Sequence, residues 1–240
     1  MHLEINPDLD IPALTAAFRQ DGRVQLLNWI NPDAANALHM ELRTRSDWVQ
    51  VVNSGEKVIE LSRAMREGLG HADREALDNA VYAGARYGFQ YRYETIRIPD
   101  DHDGRQPLND LLAQFALWLS GGLVRDMLRT ITGHDDIAFA DAQATAYSPD
   151  DFLTGHDDAV TGKGRRAAYV FGLTPIWRVE WGGLLLFHDK NGHLVEGWVP
   201  SFNCLNLFAV PQMHSVSPVS RAAAFRRYAI TGWLRNETPA

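Results

Sequence analysis

The string TGHDD occurs twice in this sequence, and each copy presents a histidine and a carboxylate that could bind a metal ion. The first copy covers residues 132–136 and the second covers residues 154–158. An imidazole and a carboxylate two residues apart are compatible with a transition metal such as iron. The sequence around each copy therefore decides which one is the better candidate for a metal site.

The first copy follows the helical pattern GLVRDMLRTIT. Gly133 lies where a helix commonly ends in a left-handed residue, and His134 is placed to interact with the last carbonyl groups of that helix. We predict that this copy is a helix terminus and the entry to a strand.

The second copy lies between β-type segments, after the turn at 148–151. On an extended chain, residues i and i+2 point to the same side, so the pattern predicts that His156 and Asp158 project together while Asp157 points away. His214 is the best candidate for a third ligand, because it follows the apolar strand FNCLNLFAV. Two imidazoles and one carboxylate leave positions of an octahedral ion open, which suits Fe(II) oxygen chemistry.

The last predicted strand, FRRYAITGWL, carries a basic residue that could bind an anion. Alternation places Arg227, Thr231 and Trp233 on one face and Arg226 on the other. An arginine that faces the interior is costly unless an anion pairs with it. The alternative is a surface arginine on an edge strand, since one of the two adjacent arginines must point outward.

The elements that must position these residues change in character near residue 134. Helical patterns dominate residues 1–134, and the segment 72–94 has helical spacing and ends in an aromatic cluster, YGFQYRYE. We favour core packing for these rings and a solvated loop for PDDHDGRQP; the alternative is that both line or cover the entrance to a site. Residues 135–240 contain short β-rich segments, and Asn191-Gly192 predicts a hairpin. We predict an α+β fold in which a helix-rich support region, 1–134, packs on a β-sandwich or barrel core, 135–240, as one structural unit.

The composition restricts the classes of partner. The net charge of −7 argues against a nucleic-acid partner. No apolar run approaches the roughly 20 residues that cross a bilayer, and MHLEINPDLD does not resemble a signal peptide, so we predict a cytoplasmic protein with no membrane partner. The single cysteine, Cys204, excludes an intrachain disulfide and is predicted to be a buried core residue.

Four segments, in order, resemble the Fe(II)- and 2-oxoglutarate-dependent dioxygenases, specifically the prolyl 4-hydroxylase-like branch with its bacterial predicted proline hydroxylases. They are AYSPDDFLTGHDD, GRRAAYVFGLTPIWRVEWGGLLLFHD, LNLFAVPQMHSVSPVS and RRYAITGWL. The metal motif of the family, H-x-D with a distant H, falls on the residues His156, Asp158 and His214. The family fold is a double-stranded β-helix, or jelly roll, buttressed by helices, and the resemblance implies that fold here.

The resemblance also implies the roles of individual residues. His156, Asp158 and His214 would bind Fe(II) and form the catalytic centre. Arg227 would pair with the far carboxylate of 2-oxoglutarate, for which a planar guanidinium is suited. Tyr147 and Thr231 are further candidates to bind that co-substrate. O2 is the implied oxidant, and ascorbate is a candidate auxiliary cofactor.

The implied reaction is the hydroxylation of a substrate, coupled to the conversion of 2-oxoglutarate and O2 to succinate and CO2. Asp158 favours hydroxylation, because halogenating relatives carry a small residue in place of the carboxylate. By analogy, the expected substrate is a prolyl side chain in a peptide or protein. The alternatives are a free amino acid or another small molecule as substrate, and, in a different class, a jelly-roll binding domain without catalysis.

The sequence departs from the family pattern at two places. The segment between His214 and the arginine is a few residues longer than the commonest pattern, so the choice of Arg227 over Arg226 depends on alignment to Tyr228. Many relatives have a tyrosine where this chain has Gly172. One hydrogen bond to the co-substrate is therefore expected to be missing or replaced.

Overall fold

The computed structural model describes residues 2–100, 102–105 and 109–236, and its α-helices lie within residues 11–132. They are α1 (Ile11–Asp21), α2 (Pro32–Thr44), α3 (Arg63–Gly68), α4 (His71–Ala85), α5 (His102–Arg105), α6 (Leu111–Leu119) and α7 (Gly122–Thr132). In these described ranges, no helix is both long and apolar enough to span a lipid bilayer.

Thirteen strands of the described residues form one curled antiparallel sheet, in the order β1-β11-β8-β13-β6-β4-β7-β12-β9-β10, with β2, β3 and β5 off this path. The strands are β1 (Arg23–Leu27), β2 (Val49–Ser54), β3 (Lys57–Ser62), β4 (Tyr91–Arg97), β5 (Phe139–Ala140), β6 (Gln143–Tyr147), β7 (Phe152–His156), β8 (Arg165–Gly172), β9 (Leu185–His188), β10 (Leu194–Trp198), β11 (Cys204–Ala209), β12 (His214–Val216) and β13 (Arg227–Arg235). A curled sheet packed against helices is the predicted α+β fold.

The first half of the chain contributes more strand than the sequence analysis predicted. Helix α4 ends at Ala85, and the aromatic cluster that follows continues into β4, which lies between β6 and β7 in the sheet. The alternation of Tyr91 and Tyr93 with Arg92 and Glu94 is a strand pattern, and it was missed because the preceding helical pattern was extended through it. The hairpin of β2 and β3 was also missed. The boundary at residue 134 stays a prediction, since the sheet includes strands from both sides of it.

The main hydrophobic core lies between the helices and one face of the sheet. Trp29, Phe115 on α6 and Phe171 on β8 are fully buried in it. The Phe171 ring lies 4.9 Å from Trp29, edge to face, and 5.6 Å from Phe115, stacked. These aromatic contacts fix helices of the first half against a strand of the second. Cys204 is buried as predicted, and burial raises the pKa of its thiol to about 12.

Two turns predicted from the sequence are confirmed. Gly133 ends α7 in the left-handed conformation, with φ of 70°, and its N–H donates to the carbonyl of Arg129. The first TGHDD copy is therefore a helix terminus. Gly192, with φ of 81°, lies in the turn between β9 and β10, which form the predicted hairpin.

We expect Phe171→Ala to destabilise the whole chain by about 3–5 kcal/mol, because it removes the ring that joins helices to sheet. Phe225→Ala is the matched control, because Phe225 is 49% exposed, and it should cost about 1 kcal/mol or less. Urea denaturation followed by circular dichroism measures both. A Phe171→Ala variant as stable as Phe225→Ala would contradict this account of the core.

Candidate metal centre

Two adjacent strands bring the second TGHDD copy together with His214. His156 is the last residue of β7 and His214 is the first residue of β12. In the antiparallel pairing of these strands the two residues lie opposite each other, with ring centroids 4.1 Å apart. The Asp158 carboxylate lies between them, with Oδ1 3.4 Å from His156 Nε2 and Oδ2 3.5 Å from His214 Nε2. One ligand atom from each of the three side chains lies within 4.8 Å of the others.

The predicted proximity of His156 and Asp158 is present, but its predicted cause is wrong. The strand ends at His156, and Asp158 has a left-handed backbone with φ of 63°. The carboxylate therefore reaches the histidines through a turn of the chain and not through the alternation of a strand. A non-glycine residue in this conformation carries strain of about 1 kcal/mol or more, and such strain is concentrated at functional sites.

Backbone carbonyls fix the protonation of both histidine rings. Nδ1 of His156 lies 3.1 Å from the carbonyl of Thr154, and Nδ1 of His214 lies 2.8 Å from the carbonyl of Gln212. A carbonyl oxygen only accepts hydrogen bonds, so each Nδ1 carries a proton and donates it. Each Nε2 is then left with its lone pair towards Asp158, which is the arrangement that histidine ligands of metals adopt.

The charges at the three side chains suit a divalent cation. Burial, with a contribution from His156, lowers the pKa of His214 to about 4, so that its ring is neutral at neutral pH. For Asp158, burial alone would raise the pKa, but its interactions with His156 and His214 outweigh burial and lower the pKa. Two imidazoles and one carboxylate form a donor set that fits Fe(II), Zn²⁺ or a similar ion.

Arg227 is a buried cation without an anion. It is 4% exposed, and its Nε is buried without a hydrogen-bond partner. Among the described residues no carboxylate pairs with it, and its guanidinium lies 5.0 Å from the ring centroid of Tyr147. Because the guanidinium is buried, the pKa of Arg227 is lowered. Arg226 is directed elsewhere and donates to Glu94 Oε2 at 2.6 Å. A buried guanidinium in this state fits an anion supplied by a ligand.

A cavity of about 420 Å³ connects the triad to Arg227. All six residues singled out from the sequence line it: His156, Asp158, His214, Tyr147, Arg227 and Thr231. The volume is within the range of small-molecule sites. The structure therefore brings a metal-binding set and an unpaired cation into one pocket.

A run of aromatic rings forms one wall of this cavity; core packing was the favoured prediction for it, and the lining of an entrance was the alternative. The loop PDDHDGRQP, which was part of that alternative, lies partly outside the described residues. Tyr93 stacks on Tyr147 at 5.2 Å, Tyr91 lies 5.5 Å from Tyr93, and Phe89 lies 5.6 Å from Tyr91 and 5.3 Å from His156. The signal was the period of two in Phe89, Tyr91 and Tyr93, which is typical of a strand face. Burial raises the pKa of Tyr93 to about 12, so its phenol stays protonated and can donate a hydrogen bond.

Gly172 leaves no space for the tyrosine that many relatives carry. A Cβ atom at this position would lie 2.2 Å from the carbonyl oxygen of Ser201. Tyr93, on a different strand, stacks on Tyr147 and also lines the cavity.

The comparisons with known proteins agree with this site. Residues 142–235 match the model of the 2OG-Fe(II) oxygenase superfamily. Over 117 residues, 46% of this chain, the sequence is 34% identical to the prolyl 3-hydroxylase OGFOD1 of Mus musculus. The match covers 21% of that relative, so the chain spans about a fifth of its length.

Two solved structures share the fold. A prolyl-4-hydroxylase from Pseudomonas putida has a TM-score of 0.58 at 18% identity, with 95% of this chain and 99% of that chain covered. A prolyl hydroxylase from Trichoplax adhaerens, solved with a peptide fragment of the hypoxia inducible factor oxygen degradation domain, has a TM-score of 0.56 at 15% identity, with 94% and 89% covered.

The curled sheet packed against helices is the fold that these prolyl hydroxylase structures share. Residues 142–235, which contain the triad and Arg227, match the 2OG-Fe(II) oxygenase superfamily, and part of the chain is similar in sequence to a prolyl hydroxylase. Fe(II), 2-oxoglutarate and O2 are the cofactor and co-substrates of this family.

We expect the protein to bind one Fe(II) ion per chain under anaerobic conditions, and His156→Ala or Asp158→Ala to abolish that binding, because each removes one of only three ligands. His134→Ala, in the other TGHDD copy, is the matched control and should retain iron. Metal analysis after gel filtration measures the content, and circular dichroism verifies the fold. Loss of iron from a folded His134→Ala variant would overturn the assignment.

Proposed function

We propose that this protein hydroxylates a proline residue in a peptide or protein, using Fe(II), 2-oxoglutarate and O2. The observation that carries the proposal is the buried, unpaired Arg227 in the same cavity as the triad. A metal-binding set alone fits hydrolytic and structural sites as well. A dicarboxylate that chelates a metal through one end needs a second, separate cation to bind the carboxylate at its other end.

His156, Asp158 and His214 would hold the iron, and Arg227 would bind the far carboxylate of 2-oxoglutarate through paired N–H donors. Tyr147 lies directly opposite Arg227 in the pairing of β6 and β13, and Thr231 lines the same cavity. Both hydroxyl groups are candidates to donate to the co-substrate. The bound metal, with 2-oxoglutarate and O2, supplies the oxidation that gives succinate, CO2 and a hydroxylated substrate.

The protein's own residues would exclude water and orient the reactants. Arg227 and Tyr147 are almost completely buried, so the anion would bind where electrostatic attraction is weakly screened. The carbonyls of Thr154 and Gln212 would keep the histidine rings in the orientation and tautomer that coordination needs.

The proposed substrate class rests on the wall of the cavity and on the relatives. Phe89 and Val160 line the cavity, and each is 48% exposed, so the mouth is open and apolar beside His156. A proline ring is apolar and packs well on aromatic faces, which suits the wall formed by Phe89, Tyr91 and Tyr93. The similar proteins also support a prolyl substrate, since one is named a prolyl 3-hydroxylase and another a prolyl-4-hydroxylase.

The alternative enzyme function is oxidation of a free amino acid or other small molecule. Turnover assays with panels of peptides and of small molecules distinguish it from peptide hydroxylation. A binding domain without catalysis is disfavoured, because it has no need of both the triad and Arg227. The cytoplasmic location and the absence of a nucleic-acid partner remain predictions from composition.

We expect Arg227→Gln to raise the KM for 2-oxoglutarate about 30-fold or more, because it removes the charged partner of a buried carboxylate. Arg226→Gln is the matched comparison and should change this KM far less, because Arg226 pairs with Glu94 outside the cavity. Initial rates of succinate formation at varied 2-oxoglutarate measure both. A larger effect in Arg226→Gln would reverse the choice between the two arginines.

The decisive experiment is to incubate the purified protein with Fe(II), 2-oxoglutarate and a panel of proline-containing peptides. We expect succinate to form in an iron-dependent reaction and one peptide to gain a single oxygen atom on proline, located by fragmentation mass spectrometry. Asp158→Ala, which lacks the carboxylate ligand, should form neither product. Turnover with free amino acids but no peptide would support the small-molecule alternative, and no turnover with any class would support a binding domain.

A further inference from the structure

A second cavity, of about 380 Å³, lies on the other side of the sheet from the triad. Neighbouring residues show the separation: Arg227 lines the triad cavity whereas Arg226 lines this one, and Tyr91 and Tyr93 line the first whereas Arg92 lines the second. Five guanidinium groups face it, from Arg63, Arg66, Arg74, Arg92 and Arg226. This concentration of positive charge contrasts with the net charge of −7 for the whole chain.

A buried carboxylate behind the wall holds three of these arginines in place. Glu94 is 1% exposed and is not part of the cavity lining. It accepts a hydrogen bond from Arg226 at 2.6 Å, one from Arg63 at 3.3 Å and one from Arg66. Three positive charges against one negative charge leave a surplus of two (3 − 1 = 2).

The other charged groups reduce this surplus to one when Arg74 and Arg92 are included, because five guanidinium groups then stand against four carboxylates (5 − 4 = 1). Asp78 lies on the wall but pairs with Arg92 at 2.5 Å, and Asp151 behind the wall pairs with the same arginine at 3.1 Å. Glu67 also lines the cavity, but it is exposed and makes no ion pair among the described residues.

Two arginines on the wall have a hydrogen-bond donor or a positive charge without a partner among the described residues. In the described part of the chain, Arg74 donates only to carbonyl groups, of Leu69, Arg66 and Glu67, so its charge has no carboxylate partner. The Nε of Arg66 is buried and makes no hydrogen bond. An unpaired buried donor and an unbalanced positive charge in one cavity are the features of a site for an anion.

We propose that this cavity binds a doubly charged oxyanion, of which the phosphoryl group is the simplest example. A phosphate group carries about −1.5 to −2 charges at neutral pH, so a wall with a net positive charge attracts it. Its several oxygens accept hydrogen bonds from guanidinium groups in the paired geometry that arginine provides. The source of the group is either free phosphate or a phosphorylated side chain of a partner protein. This inference does not depend on the proposed hydroxylase activity.

Isothermal titration of the whole chain with inorganic phosphate, at constant ionic strength, tests the site. We expect saturable binding, and Arg66→Gln should weaken it about tenfold, because it removes one charged hydrogen-bond donor. Glu94 keeps Arg63 and Arg226 in this variant, so the buried carboxylate stays paired. Arg97→Gln is the matched control, because Arg97 is an exposed arginine outside the cavity that pairs with Glu60, and it should bind phosphate like the wild type.

Phosphoserine peptides form the second arm of the experiment and identify the source of the group. Tighter binding of such a peptide than of free phosphate, lost in the dephosphorylated peptide, would support the site with a protein partner. Binding of free phosphate alone would support the site with a small anion. The proposal is overturned if neither ligand binds saturably, or if phosphate binding is unaffected by Arg66→Gln and is instead weakened by Arg227→Gln.

Discussion

The pairing of β7 with β12 is the constraint on which the metal centre depends. It places His156 opposite His214, although 58 residues separate them along the chain (214 − 156 = 58). Each ring is then held by a carbonyl two residues before it, so both Nε2 atoms face Asp158. Because the three side chains come together only in the completed sheet, a metal ion that they bind would stabilise the native state.

Strand alternation also organises the charges of this protein. Arg226 and Arg227 are neighbours in sequence, yet one pairs with Glu94 and the other lines the triad cavity without a carboxylate partner among the described residues. The same alternation in β4 sends Tyr91 and Tyr93 to the metal side and Glu94 to the opposite side. One sheet thus separates two environments, and on the metal side the buried guanidinium of Arg227 has no carboxylate partner among the described residues.

The sequence predicted the ligand triad and the arginine better than it predicted the elements around them. The triad and the last strand were predictable because short motifs and a period of two carry their own geometry. The position of Asp158 was predicted for the wrong reason, since a left-handed residue has no reliable signal in a single sequence. The strand β4 was missed because its pattern directly follows a long helix. That Gly172 has no space for a side chain depends on the carbonyl of Ser201, a contact that no local pattern reveals.

The left-handed backbone of Asp158 determines which substitutions at this position leave the backbone unstrained. Glycine adopts this conformation without strain, whereas alanine and other side chains do not. A change from aspartate to glycine would therefore remove the carboxylate ligand while it relieves the backbone, and the loop between β7 and β8 could keep its path. The cost of that single substitution would therefore fall on metal binding and not on the fold.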